Sequence, residues 1–451
     1  MSLNPFPSLS RMLDRLFHSD QEDRLLHRSL LSQSGTTIVI SKFSGWGSLL
    51  NIAPLLEGIR RQYPRARLIL VTDRHNEELV RRLPFLNQTL FLPEIARNNP
   101  VPLVHCIRLA IRLRGLAPQV YLDLQLQTRK SLALNLALLS GARVRIGFVG
   151  GRDPRRLRNL THPIYFNLHQ TTKAVYDQAA LLLGLDPRHS SASVLIEQPA
   201  DSRHLAAVLP EVQDPSLSLC IINPNASERA YERRWPIAHF QETILRLLAS
   251  HRSIRIVLVG SPNEREYVDT LENAVPLRMR ERVLNMAGRL SFGGLLALLR
   301  KGNCFLTNDS GPLHLALSIG TPTVALFGPT HPALIPARPP SSRTIFLYEP
   351  HYCSPCVHHV SRPPCGGDNI CLQHLSVDSV VRACDAFLLK NRGTRLLPQE
   401  WNTFRPPGVV ESAGHPIGLF RPRSESGEPS ELLEGEPPIR PEVRIKEQGR
   451  G

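Results

Sequence analysis

Apolar residues along this chain fall into short unbroken runs that alternate with longer stretches at helical spacing. Thr37–Ile40 (TIVI) is a continuous β-branched run, the pattern of a strand buried on both faces of a parallel sheet. A glycine-containing turn, Ser44–Ser48, leads into a helical pattern from Leu49 to Tyr63, which Pro64 ends. Strand Arg67–Thr72 (RLILVT), helix Asn76–Leu83, strand Thr89–Leu92, helix Leu103–Arg114 and strand Gln119–Leu122 continue the series. Alternation at this spacing predicts βαβ units.

Periodicity weakens between Gly184 and Ser216, where Pro, Ser and His are dense, and then restarts. Strand Leu217–Ile222, helix Ile237–Ser250, strand Ile254–Val259 and helix Glu264–Val275 follow. Helix Phe292–Arg300, strand Cys304–Thr307, helix Pro312–Ile319 and strand Thr323–Phe327 complete the second series. The pattern predicts an α/β protein of two facing Rossmann-like, doubly wound domains with a ligand cleft between them. The expected layout is a polar leader over 1–35, a first domain over 36–185, a linker over 186–214, a second domain over 215–390 and a disordered tail over 391–451. The leader carries apolar residues at helical spacing (Leu9, Met12, Leu13, Leu16, Phe17), and the tail holds nine prolines among scattered charges.

A length of 451 residues suits two or three domains, and 42% hydrophobic with 21% charged residues is an ordinary globular balance. No apolar run is long enough to span a bilayer, and Met1–Arg11 has no early basic residue leading into an apolar stretch, so a cytoplasmic protein is expected. The net charge of +15 lies entirely in the first 390 residues, because the tail holds nine basic and nine acidic residues. Such a basic body suits phosphorylated ligands or an anionic membrane surface; arginine-rich genomic composition explains it equally well. A nucleic-acid binder is disfavoured, since no RNP strand, zinc finger or helix-turn-helix pattern is present. A dinucleotide-dependent dehydrogenase is disfavoured because no Gly-x-Gly-x-x-Gly follows a predicted strand.

The most informative stretch is Cys304–Thr330 (CFLTNDSGPLHLALSIGTPTVALFGPT). A buried strand ends at Thr307, and Asn308, Asp309, Ser310 and Gly311 turn directly into a helix. Pro312 suits its first position, with Ser310 or Gly311 near the N-cap. Free amides there, with the helix dipole, make an anion site at the carboxyl edge of the sheet. Gly311 lets a diphosphate approach the backbone, and His314, one turn in, faces the same ligand. Read by itself, Asp-Ser-Gly-Pro before a helix is also ordinary capping chemistry.

The whole pattern is more specific. Thr307–His314, with Gly320, Thr321, Pro322 and Phe327–Thr330, resembles the signature of glycosyltransferase family 9, the ADP-heptose:lipopolysaccharide heptosyltransferases. The first loop, Lys42 to Gly47 with Pro54, Leu55 and Leu56 beyond it, resembles that family's opening loop and helix. Asp123, Leu124 and Gln125 resemble its mid-domain strand end, and Asn223–Ser227 with Arg233–Pro236 resembles the loop opening its second domain. The similarity covers roughly residues 36–390. It implies a GT-B fold, a nucleotide-sugar donor (ADP-heptose by family default) on the second domain, an acceptor that is lipid-linked or an oligosaccharide on the first, and inversion with no catalytic metal or required cofactor. By position, Asn225, Ser227, Asp309, Ser310, Gly311 and His314 match the donor site. Arg233 matches a basic residue that stabilises the departing diphosphate, and Arg233 and Asp309 are the implied catalytic pair. Glu264 is placed to accept from a ribose, although Glu266 is close by and either reads equally as a solvated charge. Lys42, Gly47, Ser48 and Asp123 mark the acceptor and base region.

One departure stands out. The family commonly has Gly-Asp in the first loop, the Asp being the general base; this chain has Gly47 and Ser48. Serine cannot accept a proton at neutral pH without its own partner. Another carboxylate such as Asp123 serves, or the chain belongs to a subgroup with altered acceptor chemistry, or it is a catalytically impaired homologue that still binds sugar nucleotides. Cys353, Cys356, Cys365 and Cys371 resemble a cysteine-rich loop found in part of the family, and their spacing permits a four-thiolate structural zinc or simply reduced thiols. His351, His358 and His359 lie alongside. Cys106, Cys220, Cys304 and Cys384 read as small core residues. The Arg-rich surface suits peripheral contact with the inner membrane, where a lipid-linked acceptor sits, or is a solvated basic face.

Overall fold

The computed structural model describes residues 35–43, 45–92, 103–126, 136–150, 157, 159–166, 170–186, 195–226, 231–335, 343–357, 360 and 363–389, with strands at 409–412 and 415–418. The leader before residue 35, Ser44, Ser227, His358, His359 and the rest of the tail lie outside the described residues.

Two six-stranded sheets organise the chain. The first comprises β1 (Thr37–Ser41), β2 (Arg67–Asp73), β3 (Gln88–Leu92), β4 (Val120–Asp123), β5 (Val144–Val149) and β6 (His162–Tyr165) in the order β3-β2-β1-β4-β5-β6. The second comprises β7 (Ser218–Asn223), β8 (Ile254–Leu258), β9 (Val283–Asn285), β10 (Cys304–Asn308), β11 (Thr323–Phe327) and β12 (Thr344–Tyr348) in the order β12-β11-β10-β7-β8-β9. The described pairs in both sheets are parallel. Both orders are the same doubly wound path, so each sheet reverses direction beside its first strand. The crevice at the carboxyl ends of β1/β4 and of β7/β10 is where such sheets bind ligands.

The central strands carry the unbroken apolar runs because helices cover both of their faces: β1, β10 and β11 are buried throughout. Helix α1 (Trp46–Gln62) begins three residues before the apolar spacing predicts, since Trp46, Gly47 and Ser48 are half-exposed and fall outside the buried stripe. Strands β5, β6, β9 and β12 and helices over Thr172–Leu182 and Val377–Leu388 fill stretches where the hydrophobic pattern was too short or irregular to assign. Within the 186–214 stretch, Pro199–Val208 forms a helix.

The two lobes share one continuous apolar cluster that runs from Leu55 and Leu56 of α1 to Leu296 and Phe305 of the second lobe. A buried ion pair reinforces the junction: Arg82 Nη2 donates to Asp201 Oδ1 at 2.7 Å, with both side chains less than a tenth exposed. A Cβ on Gly293 would lie 1.8 Å from Asp201 Oδ1, so only glycine fits there. The Arg82 guanidinium also lies over the Phe292 ring, 5.3 Å from its centre. In the tail, Val409–Ser412 pairs antiparallel with His415–Gly418.

Candidate functional site

A cavity of about 1260 Å³ opens at the carboxyl ends of both sheets. Single-ligand pockets run from roughly 300 to 1,000 Å³, so this one has room for two reactants. Its C-terminal wall is built on α2 (Gly311–Ile319). Ser310 is the N-cap, Gly311 is the first helical residue and Pro312 the second, one step from the expected register. No side chain caps the helix. Ser310 Oγ instead accepts from Asn223 Nδ2 at 3.1 Å, which turns it away from the first-turn amides. The start of the helix, Ser310 to Pro312, therefore lines the cavity with the positive end of its dipole, although Pro312 itself has no N–H.

The adjoining loop is held by hydrogen bonds from the strand ends. Asn308 Nδ2 donates to the Pro224 carbonyl at 2.9 Å, and Asn308 Oδ1 accepts from the Trp235 amide at 3.0 Å. Trp235 is fully buried and its indole donates to the Leu375 carbonyl at 3.0 Å. This latch delivers Arg233 to the cavity, with Nη1 3.1 Å from Asp309 Oδ2. Asp309 is 4% exposed and Arg233 21%. The contact is a charge pair rather than an aligned hydrogen bond, because Asp309 Oδ2 and Arg233 Nε have no hydrogen-bond partner among the described residues. The neighbouring Arg234 is spent elsewhere, sandwiched between Tyr231 and Tyr267 at 4.6 and 4.4 Å from their ring centres.

The loop after β8 forms the next part of the wall. Gly260 is required by a close approach: a Cβ there would lie 2.8 Å from Asn225 Nδ2. Asn225 Nδ2 donates to the Val259 carbonyl at 3.1 Å, while its buried Oδ1 has no partner among the described residues. Glu264 lines the cavity and Glu266 does not. One Glu264 oxygen accepts from the Ser261 amide at 2.8 Å in a capping box. Thr330 also lines the cavity, with a buried Oγ1 that has no hydrogen-bond partner among the described residues. The sequence signal for Thr330 was its place at the end of the Phe327–Thr330 turn, which had suggested a turn and no particular side chain.

The N-terminal wall contains Trp46, Gly47, Ser48, His75, Glu77 and Glu78. It touches the opposite helix directly. A Cβ on Gly47 would lie 2.4 Å from the His314 ring, and one on Gly311 would lie 3.5 Å from Trp46, which packs edge-on against Phe292. Lys42 is at the cavity edge but turned inward, with Nζ 2.9 Å from the Leu124 carbonyl and 2.7 Å from the Tyr176 hydroxyl. Burial, helped by the Asp123 charge, pushes the Tyr176 phenol well above its usual range, so it stays protonated. Asp123 is buried behind the wall and does not line the cavity; its Oδ1 accepts from Ser41 Oγ at 3.0 Å and from the Gln125 amide at 3.2 Å. The titratable carboxylates that this wall offers are Glu77, held by Arg74 and Arg81, and Glu78, which accepts from the Phe292 amide at 2.9 Å. His75 was missed from sequence because a lone histidine after a strand carries no pattern. Its Nε2 accepts from the Gly45 amide at 3.4 Å.

Cys353, Cys356, Cys365 and Cys371 lie in one another's electrostatic field, yet among the described residues no group of three or more His, Cys, Asp or Glu is arranged to hold a metal ion. Burial first, then the neighbouring thiols, push Cys371 up to about 11, so it stays protonated. Packing pins the loop instead. The Cys356 and Val357 amides donate to the Pro329 carbonyl, and a Cβ on Gly328 would lie 2.8 Å from Cys371 Sγ. Cys220, Cys304 and Cys384 are buried in the core, as expected. No helix among the described residues is long and apolar enough to cross a membrane.

Two facing Rossmann-type lobes that close on a cleft of this kind define the GT-B architecture. The sequence model of glycosyltransferase family 9 (heptosyltransferase) matches residues 107–365, more than half of the chain, and the protein belongs to that family. It is 29% identical over 117 residues to lipooligosaccharide heptosyltransferase 2 of Haemophilus influenzae; the match covers 26% of this chain and 33% of that protein. The aligned stretch thus spans about a third of the length of the curated relatives it matches. The fold agrees over a much longer span. It matches E. coli ADP-heptose LPS heptosyltransferase II with a TM-score of 0.60 at 18% identity, covering 79% of this chain and 99% of the other. It matches E. coli heptosyltransferase WaaC with ADP-2-deoxy-2-fluoro heptose with a TM-score of 0.55 at 17% identity, covering 79% and 100%.

Proposed function

We propose that this protein is an inverting, metal-independent glycosyltransferase that moves a sugar, heptose from ADP-heptose by family default, onto a lipopolysaccharide or related cell-surface glycan. The observation that carries this reading is the convergence of the uncapped α2 amides with the Arg233–Asp309 pair in one cavity. Those amides and Arg233 hold the diphosphate, with Asp309 positioning the guanidinium. Asn225 and Glu264 meet the nucleoside, and Thr330 and His314 meet the sugar. The acceptor enters along the N-terminal wall, opposite the diphosphate. Its oxygen bonds to the anomeric carbon as the bond to the diphosphate breaks, so the configuration inverts. The bonding pair leaves on the diphosphate, where Arg233 and the helix dipole offset the growing charge without a metal ion. The acceptor's proton passes to a group on that same wall, which His75, Glu77 and Glu78 line and where Ser48 is not a base. The reaction takes place at the cytoplasmic face of the inner membrane.

The test is release of nucleoside diphosphate from ADP-heptose in the presence of a heptose-deficient lipopolysaccharide acceptor. Acceptor-dependent release is expected, and its absence with intact protein that binds no sugar nucleotide would refute the reading. Ser48 motivates a second reading, a catalytically impaired sugar-nucleotide binder. Tight nucleotide binding without any release would select it.

A further inference from the structure

The helix Leu103–Gly115 (LVHCIRLAIRLRG) buries Leu109 and Leu113 against the first sheet, with Leu136 and Ala137 in the same cluster. Its outer face is unlike that of any ordinary solvated helix. Val104 is 50% exposed, Ile107 49% and Ile111 66%. At 100° per residue these three fall within one narrow stripe opposite the buried leucines. Arg108 and Arg112 flank the stripe on one side and Arg114 flanks it on the other, all three exposed. The patch continues beyond the helix: a Cβ on Gly141 would lie 3.8 Å from the Arg114 side chain, and exposed Leu139 and Arg143 are on that same segment.

We propose that this face is a docking surface for an anionic lipid bilayer. Charge complementarity selects the partner. Arginines on both edges match acidic headgroups, and the isoleucines between them enter the headgroup–acyl boundary while the helix lies flat. A soluble polyanion would use the arginines and leave three large aliphatic side chains in water. The surface stands apart from the sugar-transfer cavity, so the inference does not depend on the proposed reaction.

The full-length protein is sedimented with vesicles of phosphatidylcholine and phosphatidylglycerol in equal amounts, and with phosphatidylcholine alone. Binding to the mixed vesicles that weakens in high salt is expected. I107D/I111D should weaken it by about tenfold or more, and R108Q/R112Q/R114Q should abolish the preference for acidic vesicles. Both variants should keep the wild-type melting temperature and nucleotide affinity, which separates lost docking from lost folding. Wild-type protein that ignores acidic vesicles, variants that bind as well as wild type, or capture by heparin in place of vesicles would each overturn the proposal.

Discussion

The two lobes follow one strand path and differ in what they place at the carboxyl ends of their central strands. In the second lobe, β10 ends in Asn308 and Asp309, and the charges point into the cavity with Arg233 beside them. In the first, Lys42 follows β1 and Asp123 ends β4, and the same kinds of charge are consumed inside the lobe by Tyr176, Leu124, Ser41 and Gln125. A shared topology therefore fixes where a site can form, while hydrogen bonding decides whether a charge there serves a ligand or the fold. At the central strand ends the charged groups that reach the cleft come from the second lobe; those of the first lobe, His75, Glu77 and Glu78, come from the segment after β2.

That contrast can be broken at several points. The largest effect is expected where the lobes are joined. Arg82→Ala leaves Asp201 charged and buried without its partner, which should cost about 3–5 kcal/mol of stability in denaturant unfolding. Next is Arg233→Ala, which should lower kcat/KM by about a hundred- to a thousandfold, roughly 3–4 kcal/mol of transition-state stabilisation, with unfolding unchanged. Lys42→Met is the matched change in the first lobe. It should cost about 1–3 kcal/mol of stability by leaving Tyr176 and the Leu124 carbonyl under-bonded, while nucleotide affinity by calorimetry stays at the wild-type value. If Lys42→Met weakened nucleotide binding instead, the division of labour between the lobes would be wrong. The smallest effect on stability is expected for Gly311→Ala, within about 1 kcal/mol, because the added methyl meets Trp46 at an ordinary 3.5 Å. Its diphosphate affinity should nonetheless fall, since Gly311 lines the cavity and the methyl adds bulk at the start of the helix.

The second lobe was the more legible of the two. Its central strands β10 and β11 are buried throughout, and helix Ile237–Ser250 has strong periodicity, so its predicted and observed limits coincide. The anion site was legible for the same reason: a buried strand that stops at Asn308 and a proline that starts a helix leave little choice of geometry. Asp123 was misleading because a carboxylate at a strand end reads alike whether it faces a cleft or a serine on the next strand. The Arg233–Asp309 pair joins residues far apart in the chain, so only the sheet order brings them together. The spacing of the cysteines left zinc and reduced thiols open, because spacing constrains the chain and says nothing about where the sulfurs point. Thr330 was marked only as the end of a turn and His75 had no pattern to reveal it, since a single polar residue becomes informative only when its neighbours are known.

The central claim is that the helix beginning at Gly311 and the guanidinium of Arg233 together grip a diphosphate. A crystal soaked with ADP tests it in a single density map. The account predicts phosphate oxygens within hydrogen-bonding distance of the first-turn amides and of Arg233, with the base beside Asn225 and Glu264. Phosphates bound anywhere else on the protein, or those amides left to water while ADP is bound, would contradict it.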